Sequence, residues 1–181
     1  MVLASVLLVG TSATADEASV PVELQLQLLD RVVRYERGWS SRTDGARVIV
    51  LRRAGLAESE RVSAQVLQWL ARTGRLGGRT VAPIDHAYEG AAQLGAQCER
   101  EGVSLVYVAP GLGAEVAAIV RVLAARSILT VAAVGADVDR GAMVGFELAG
   151  ARPRIAVHLP SLRAANLRFD PQFLRLARVI E

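Results

Sequence analysis

The chain has 181 residues, 52% of them apolar and 4% aromatic, with a formal net charge of +3. That length fits one domain with a useful core, and the apolar share excludes a disordered chain. The scarcity of aromatics argues against base-stacking platforms, and the 21 basic residues, all Arg, are scattered rather than gathered into the stripe a nucleic-acid footprint needs, so no nucleic-acid partner is expected.

Val2 to Gly10 are apolar apart from Ser5, Thr11 to Ala15 are small, and Ala13-Thr14-Ala15 has the A-x-A form of a signal-peptidase site. Residues 1–15 therefore read as a secretory signal cut after Ala15, although no basic residue precedes the apolar run. The other reading is a buried N-terminal strand. The run is too short to span a bilayer as a helix, and no later stretch reaches the ~18 to 20 uninterrupted apolar residues of a membrane span. The mature chain is expected not to span a membrane.

Residues 20–181 form the expected domain. Leu24, Leu26, Leu28, Leu29, Val32, Val33 and Tyr35 fit an opening helix that starts near Pro21 and stops at Gly38; Trp39 to Ala46 reads as a polar loop. Arg47 to Leu51 is a continuous apolar run, as in a strand covered on both faces. Ser59 to Thr73 is helical and ends at Gly74, Gly77 and Gly78. Thr80 to Ile84 is a second strand, placed at an edge by Pro83. Tyr88 to Glu101 is a helix closed by Gly102, Val103 to Ala109 the clearest central strand, Gly113 to Arg126 a helix and Ile128 to Val134 a strand. Ala142 to Leu148 and Arg154 to Leu159 are joined by so short a turn that they must form an antiparallel hairpin. Ser161 to Asn166 reads as a helical turn. Asp170 and Pro171 open a final helix packed by Phe173, Leu174, Leu176, Ala177 and Ile180. The expected fold is a single-domain α/β layered sandwich: a mixed sheet of five or six strands, mostly parallel with a C-terminal antiparallel hairpin, flanked by helices.

No arrangement of reactive residues stands out. Pro110-Gly111-Leu112-Gly113 lies between a strand and a helix, but position 116 is Val where a dinucleotide fingerprint needs a small residue, and no Lys follows for a Walker loop. It reads as a tight turn. Asp85-His86 is the one acid–histidine neighbour pair, and His158 lies close to Ser161; neither has a recognisable catalytic setting. One Cys and two His make a His/Cys-rich metal site implausible and leave only a carboxylate-based one open. No cofactor is expected, nor an enzyme. Cys98 sits among Ala91, Ala92, Leu94 and Ala96, so it reads as a buried thiol, with pairing between two chains as the alternative. Arg163, Asn166, Arg168, Arg175 and Arg178 gather near the C-terminus, with Arg175 and Arg178 on one face of the final helix. They read either as a surface for an acidic partner or as a solvated face that offsets the helix dipole.

Several segments, taken in order, carry a resemblance. These are the opening helix Leu24 to Tyr35, the strand Arg47 to Leu51, and Cys98 followed by Val103 to Val108. Ile128-Leu129-Thr130-Val131-Ala132, Gly141 to Phe146, Pro153 to Leu159 and the closing Phe173-Leu174-Arg175-Leu176-Ala177-Arg178-Val179-Ile180 complete the set. From about Val22 to Ile180 the chain resembles the YfiR family of periplasmic regulators. The resemblance implies a repressor, exported by a Gram-negative bacterium, that binds the outer-facing sensor region of an inner-membrane diguanylate cyclase, lowers cyclic-di-GMP signalling and forms a homodimer. It implies no reaction. Two departures stand out: Cys98 has no partner where the family often has paired cysteines, and His158-Leu159 stands where the family strand ends in Asn. The resemblance transfers no partner site residue by residue; from the cluster near the C-terminus the candidate partner residues are Arg163, Asn166, Arg175 and Arg178. The competing expectation is a periplasmic solute-binding or transport accessory protein that takes a small anion at these arginines.

Overall fold

Strands that must be buried on both faces are written as unbroken apolar runs, and such runs form the centre of one sheet here. The computed structural model describes residues 20–181. In chain order these form α1 (Val22–Val32), a 3-10 turn (Val33–Tyr35), α2 (Arg37–Ser40), β1 (Ala46–Arg52), α3 (Ala57–Thr73), β2 (Arg75–Leu76) and β3 (Arg79–Ala87). Next come α4 (Ala91–Glu101), β4 (Val103–Val108), α5 (Val116–Ala124), β5 (Leu129–Ala132), α6 (Ala136–Asp139) and β6 (Val144–Ala149). The chain closes with β7 (Arg152–His158), α7 (Leu159–Ala164), α8 (Pro171–Leu174) and β8 (Arg178–Ile180).

The eight strands make one sheet in the order β2-β3-β1-β4-β5-β6-β7-β8. From β3 to β6 neighbouring strands run parallel. The β6–β7 hairpin is antiparallel, and β8 returns parallel to β7. This is a mixed, mostly parallel α/β sandwich. It has more strands than the expected five or six because β2 and β8 hold only two and three residues, too few to show a period.

Alternation along β1 and β4 divides the core. Val48, Val50, Leu105 and Tyr107 join Leu26 and Leu29 of α1 and Val62, Val66 and Leu70 of α3. Ile49, Leu51, Val106 and Val108 join Leu94 and Cys98 of α4 and Ile119 and Leu123 of α5. A polar knot pins α1 to the sheet: the buried Tyr107 hydroxyl donates to Gln25 Oε1 at 2.7 Å, and Gln25 Nε2 donates to the carbonyls of Val20 and Ala133.

Three local expectations are corrected. Trp39, placed in a polar loop, is buried in α2; its indole donates to the Leu76 carbonyl, and the Arg79 guanidinium lies 4.8 Å over its ring. The β2–β3 hairpin that covers it needs Gly77, because a Cβ there would stand 2.3 Å from Val33 and 2.6 Å from the indole nitrogen. Pro83 lies on β3 beyond the two residues that β2 pairs, so this internal strand is locally an edge there, with no donor needed.

The third correction is the final helix. It stops after Leu174, and residues 178–180 run extended, pairing Ala156 with Arg178 and His158 with Ile180. Val179 and Ile180 are β-branched and meet an open strand edge, while the competing helix would be too short to propagate well.

Tyr107→Phe leaves Gln25 Oε1 without its buried donor. A loss of about 1–3 kcal/mol is expected in urea unfolding with the slope unchanged; an unaltered midpoint would show that the knot contributes nothing.

Candidate partner-binding site at the C-terminal edge

Of the four residues expected to meet a partner, one is fully engaged within the fold. Arg178 forks onto Glu147 of β6, with Nε 3.0 Å from Oε1 and Nη2 2.9 Å from Oε2, and its Nη1 lies 2.8 Å from Oδ1 of Asp139 in α6. Arg154 reaches the same Glu147 at 2.6 Å. The Arg178 fork on Asp139 holds that carboxyl below its usual range. Two carboxylates thus fasten β8 to the sheet by charge-assisted bonds. Arg175 and Arg178 share no helical face, because the segment between them leaves the helix.

Arg175 and Leu176 instead sit in the turn before β8. Both are exposed, Leu176 by 76%, the most of any large apolar side chain among the described residues. Arg163 is exposed on α7. Asn166 follows α7 with φ at 55°, by a groove at the start of β5. The outer side of β8 is an unpaired sheet edge. Inside it, Phe173 stacks on Tyr35 at 5.3 Å and meets Phe169, tilted, at 5.2 Å. The structure therefore brings together Arg175, Leu176 and the β8 edge, and leaves Asn166 with the groove.

The structure also joins His158 to Ser161. His158 Nδ1 lies 2.8 Å from Ser161 Oγ and accepts the Ser161 backbone N–H at 3.2 Å. This is the N-cap of α7, with Pro160 in its first turn. Asn is a favoured cap, which gives a physical reason for His at the position where the resembling family has Asn. Both Ser161 donors converge on Nδ1, which places the ring proton on Nε2. No carboxylate orients Nε2, since Asp139 is held by Arg178. The pair is built as a cap.

The other sequence candidates have structural partners. Asp85 pairs with Arg52 at 3.0 Å and accepts from Ser63 Oγ, while His86 lies in β3 rather than in a loop, its Nε2 buried without a partner. In open α/β sheets ligands favour the carboxyl ends of strands where the chain order reverses, here between β1 and β4. Arg53 bars that crevice: its Nε is 2.5 Å from the Gly111 carbonyl and its Nη2 2.5 Å from Glu115. Gly111 has φ at 91°, and a Cβ there would meet Leu56 at 2.2 Å. Asp137 stands 3.1 Å from where a Gly113 Cβ would be, a buried carboxyl unsuited to a phosphate loop. Cys98 is a buried free cysteine, and burial pushes its thiol up to about 11.

The sheet order and the helices packed against it define a mixed, mostly parallel α/β sandwich domain. Similar solved structures include an ABC domain from Streptococcus pneumonia in complex with L-Trp, at 11% identity and TM-score 0.61, covering 88% of this chain and 62% of that one. An open, ligand-free substrate-binding protein with adhesive properties from Clostridium difficile matches at 12% identity and TM-score 0.63, covering 90% and 60%. A conserved domain protein from Vibrio cholerae matches at 12% and 0.61, covering 89% and 60%. The chain spans about 60% of the length of these structures, and the likeness shows the fold alone. No curated protein matches the chain.

A family model described as YfiR/HmsC-like matches residues 23–178, and the chain belongs to that family. The family is one of regulatory, non-enzymatic periplasmic proteins. Among the described residues no helix is long and apolar enough to cross a membrane. The expected signal, residues 1–15, lies outside the described residues.

Burial depresses the His158 pKa below its free value, only partly offset by Asp139. The folded state therefore binds fewer protons than the unfolded state as pH falls below about 6.5. Stability is fully present above that pH and declines through the folded-state pKa. His158→Asn keeps the cap and should flatten this decline in thermal melts between about pH 7 and 5; an equally steep decline would show that His158 does not cause it.

Proposed function

We propose that this chain is a repressor of an inner-membrane diguanylate cyclase, that it acts from the periplasm after removal of residues 1–15, and that it engages the cyclase's outer-facing sensor region as a homodimer. Family membership over residues 23–178 supports the regulatory role. The observation that carries the contact surface is the Arg178 fork. It locks β8 as a short edge strand and so presents Arg175 and Leu176 outward beside unpaired backbone groups, with Arg163 on the preceding helix. An exposed Leu next to an Arg and an open strand edge suits an acidic, partly apolar segment of a sensor domain.

Repression by binding is a population shift. The repressor must prefer the inactive cyclase conformation, and a near-complete reversal from 1:99 to 99:1 needs about a 10⁴-fold preference. Release then raises cyclic-di-GMP in the cell.

The test uses the exported chain and membranes containing a cyclase with a periplasmic sensor domain. Arg175→Glu with Leu176→Asp should weaken capture of the cyclase by about 100-fold, given one anchoring side chain and one reversed charge, while circular dichroism stays native. Capture at wild-type affinity by the folded double variant would remove this edge as the interface. Arg178→Glu is unsuitable because it opposes Glu147 and Asp139 and loosens the fold itself.

A further inference from the structure

A groove of 310 Å³ opens between α2, the start of β3, the starts of β4 and β5, and the segment after α7. It lies at the amino ends of the parallel strands, opposite the crevice that Arg53 closes. Four arginines line it: Arg37, Arg42, Arg79 and Arg168. Their charges are unevenly answered. Arg42 and Arg79 share Asp44. Arg37 and Arg168 make no ion pair among the described residues, and they are neighbours, since the Arg37 backbone N–H donates to the Arg168 carbonyl at 2.9 Å. Glu36 also lines the groove, but its two oxygens accept the backbone N–H groups of Trp39 and Arg168. Two arginines without a carboxylate partner among the described residues thus sit on adjacent backbone at the groove, both exposed and free to meet an anion.

Arg79 is the built element of this site. Its side chain is 4% exposed. It is anchored through Nε and Nη2 to the carbonyls of Asp44 and Gly45 and to the Asp44 carboxylate, and it lies over Trp39. Nη1 has no protein partner among these bonds. Burial lowers the Arg79 pKa, and Asp44 offsets that only in part.

A second, independent observation concerns the backbone. Among the described residues, four helices are followed within three positions by a residue with φ between 55° and 65°. Gly74 closes α3 and Gly102 closes α4, as glycine readily does. The other two are Ser127 after α5 and Asn166 after α7, each with φ at 55°, the two non-glycine residues in that region among those described. Both line this groove. Serine at such a φ carries a strain that glycine would not, and it stands here on the groove lining. The helix ends contribute about half a negative charge each at most, which still leaves the four guanidiniums in excess over Glu36 and Asp44.

We propose that this groove is an effector site for a small ligand with a phosphate or carboxylate head group, clamped by Arg37 and Arg168 and hydrogen-bonded by Ser127 and Asn166. The volume suits a small organic anion rather than a polymer, and Arg forks suit either head group. This places a small-anion site on Arg168 and Asn166 of the C-terminal cluster together with Arg37, and not on Arg175 or Arg178, and it does not depend on cyclase repression.

Calorimetric titration of the exported chain at low salt, with inorganic phosphate, phenyl phosphate and succinate as probes, tests it. Saturable binding is expected for at least one probe, phenyl phosphate leading if the head group is phosphate and succinate if it is carboxylate. Arg37→Ala and Arg168→Ala should each weaken it about tenfold. Ser127→Gly should raise the melting temperature yet weaken binding; a residue kept only to end α5 would change the melting temperature alone. Arg61→Ala, exposed on α3 and outside the groove lining, should leave binding unchanged. No saturation with any probe up to about 10 mM, or affinity indifferent to both arginine substitutions, would overturn the proposal.

Discussion

The buried carboxylate of Glu36 holds the first and last parts of the chain together. It caps α2 through the Trp39 N–H and accepts the N–H of Arg168, 132 positions further on, while Glu36 and Phe169 form an isolated bridge. A carboxylate taken out of water persists only when its lone pairs are answered, so both backbone segments must stay where they are. The Asp170 N–H then bonds the Tyr35 carbonyl, and the Tyr35, Phe169 and Phe173 rings close over the junction. Only from that platform can the chain turn back into β8, where Arg178 finds its two carboxylates. The proposed interface and the proposed effector groove are therefore the two sides of one latch.

Arginine, the sole basic side chain, serves three distinct ends here. Arg178 joins strands that no hairpin connects. Arg53 crosses from the β1 loop to the β4 loop and fills the position where such sheets commonly bind ligands. Arg37 and Arg168 remain uncommitted. The same planar fork does each task, and what separates them is the number of carboxylates the fold places within reach. Family membership brings the regulatory character; the surface proposed for it is one that Arg178 builds and Arg175 lines.

The legible part of the fold was the part under the strongest physical constraint. The runs at 47–51, 103–109 and 128–134 are apolar without interruption because helices cover both faces of those strands, and the short link before Arg154 admits only a hairpin. The last eight residues misled because Phe173, Leu174, Leu176, Ala177 and Ile180 do fit a helical stripe. What decided otherwise was a strand edge and two carboxylates distant in sequence, neither visible in a local window. Trp39 hid in a polar stretch since its cover comes from a hairpin 37 positions later. Pro160 after His158 was the available sign of a helix start, and hence of a capping histidine. Of the candidate residues, Arg163 and Arg175 emerge exposed, Asn166 belongs with the groove, and Arg178 is structural. Arg37 and Arg79 carry no pattern that distinguishes them from nineteen other scattered arginines.

The burial of Cys98 has a practical side. With its thiol pushed up to about 11, roughly one molecule in ten thousand carries a thiolate at neutral pH, and the sulfur lies under α4 and α5, out of reach of a maleimide or a methanethiosulfonate. The native chain is in effect a blank for thiol labelling. Cysteines installed at one exposed position on each side of the latch would take spin labels or fluorophores alone, so the distance between the two sides becomes measurable without first removing a native side chain from the core.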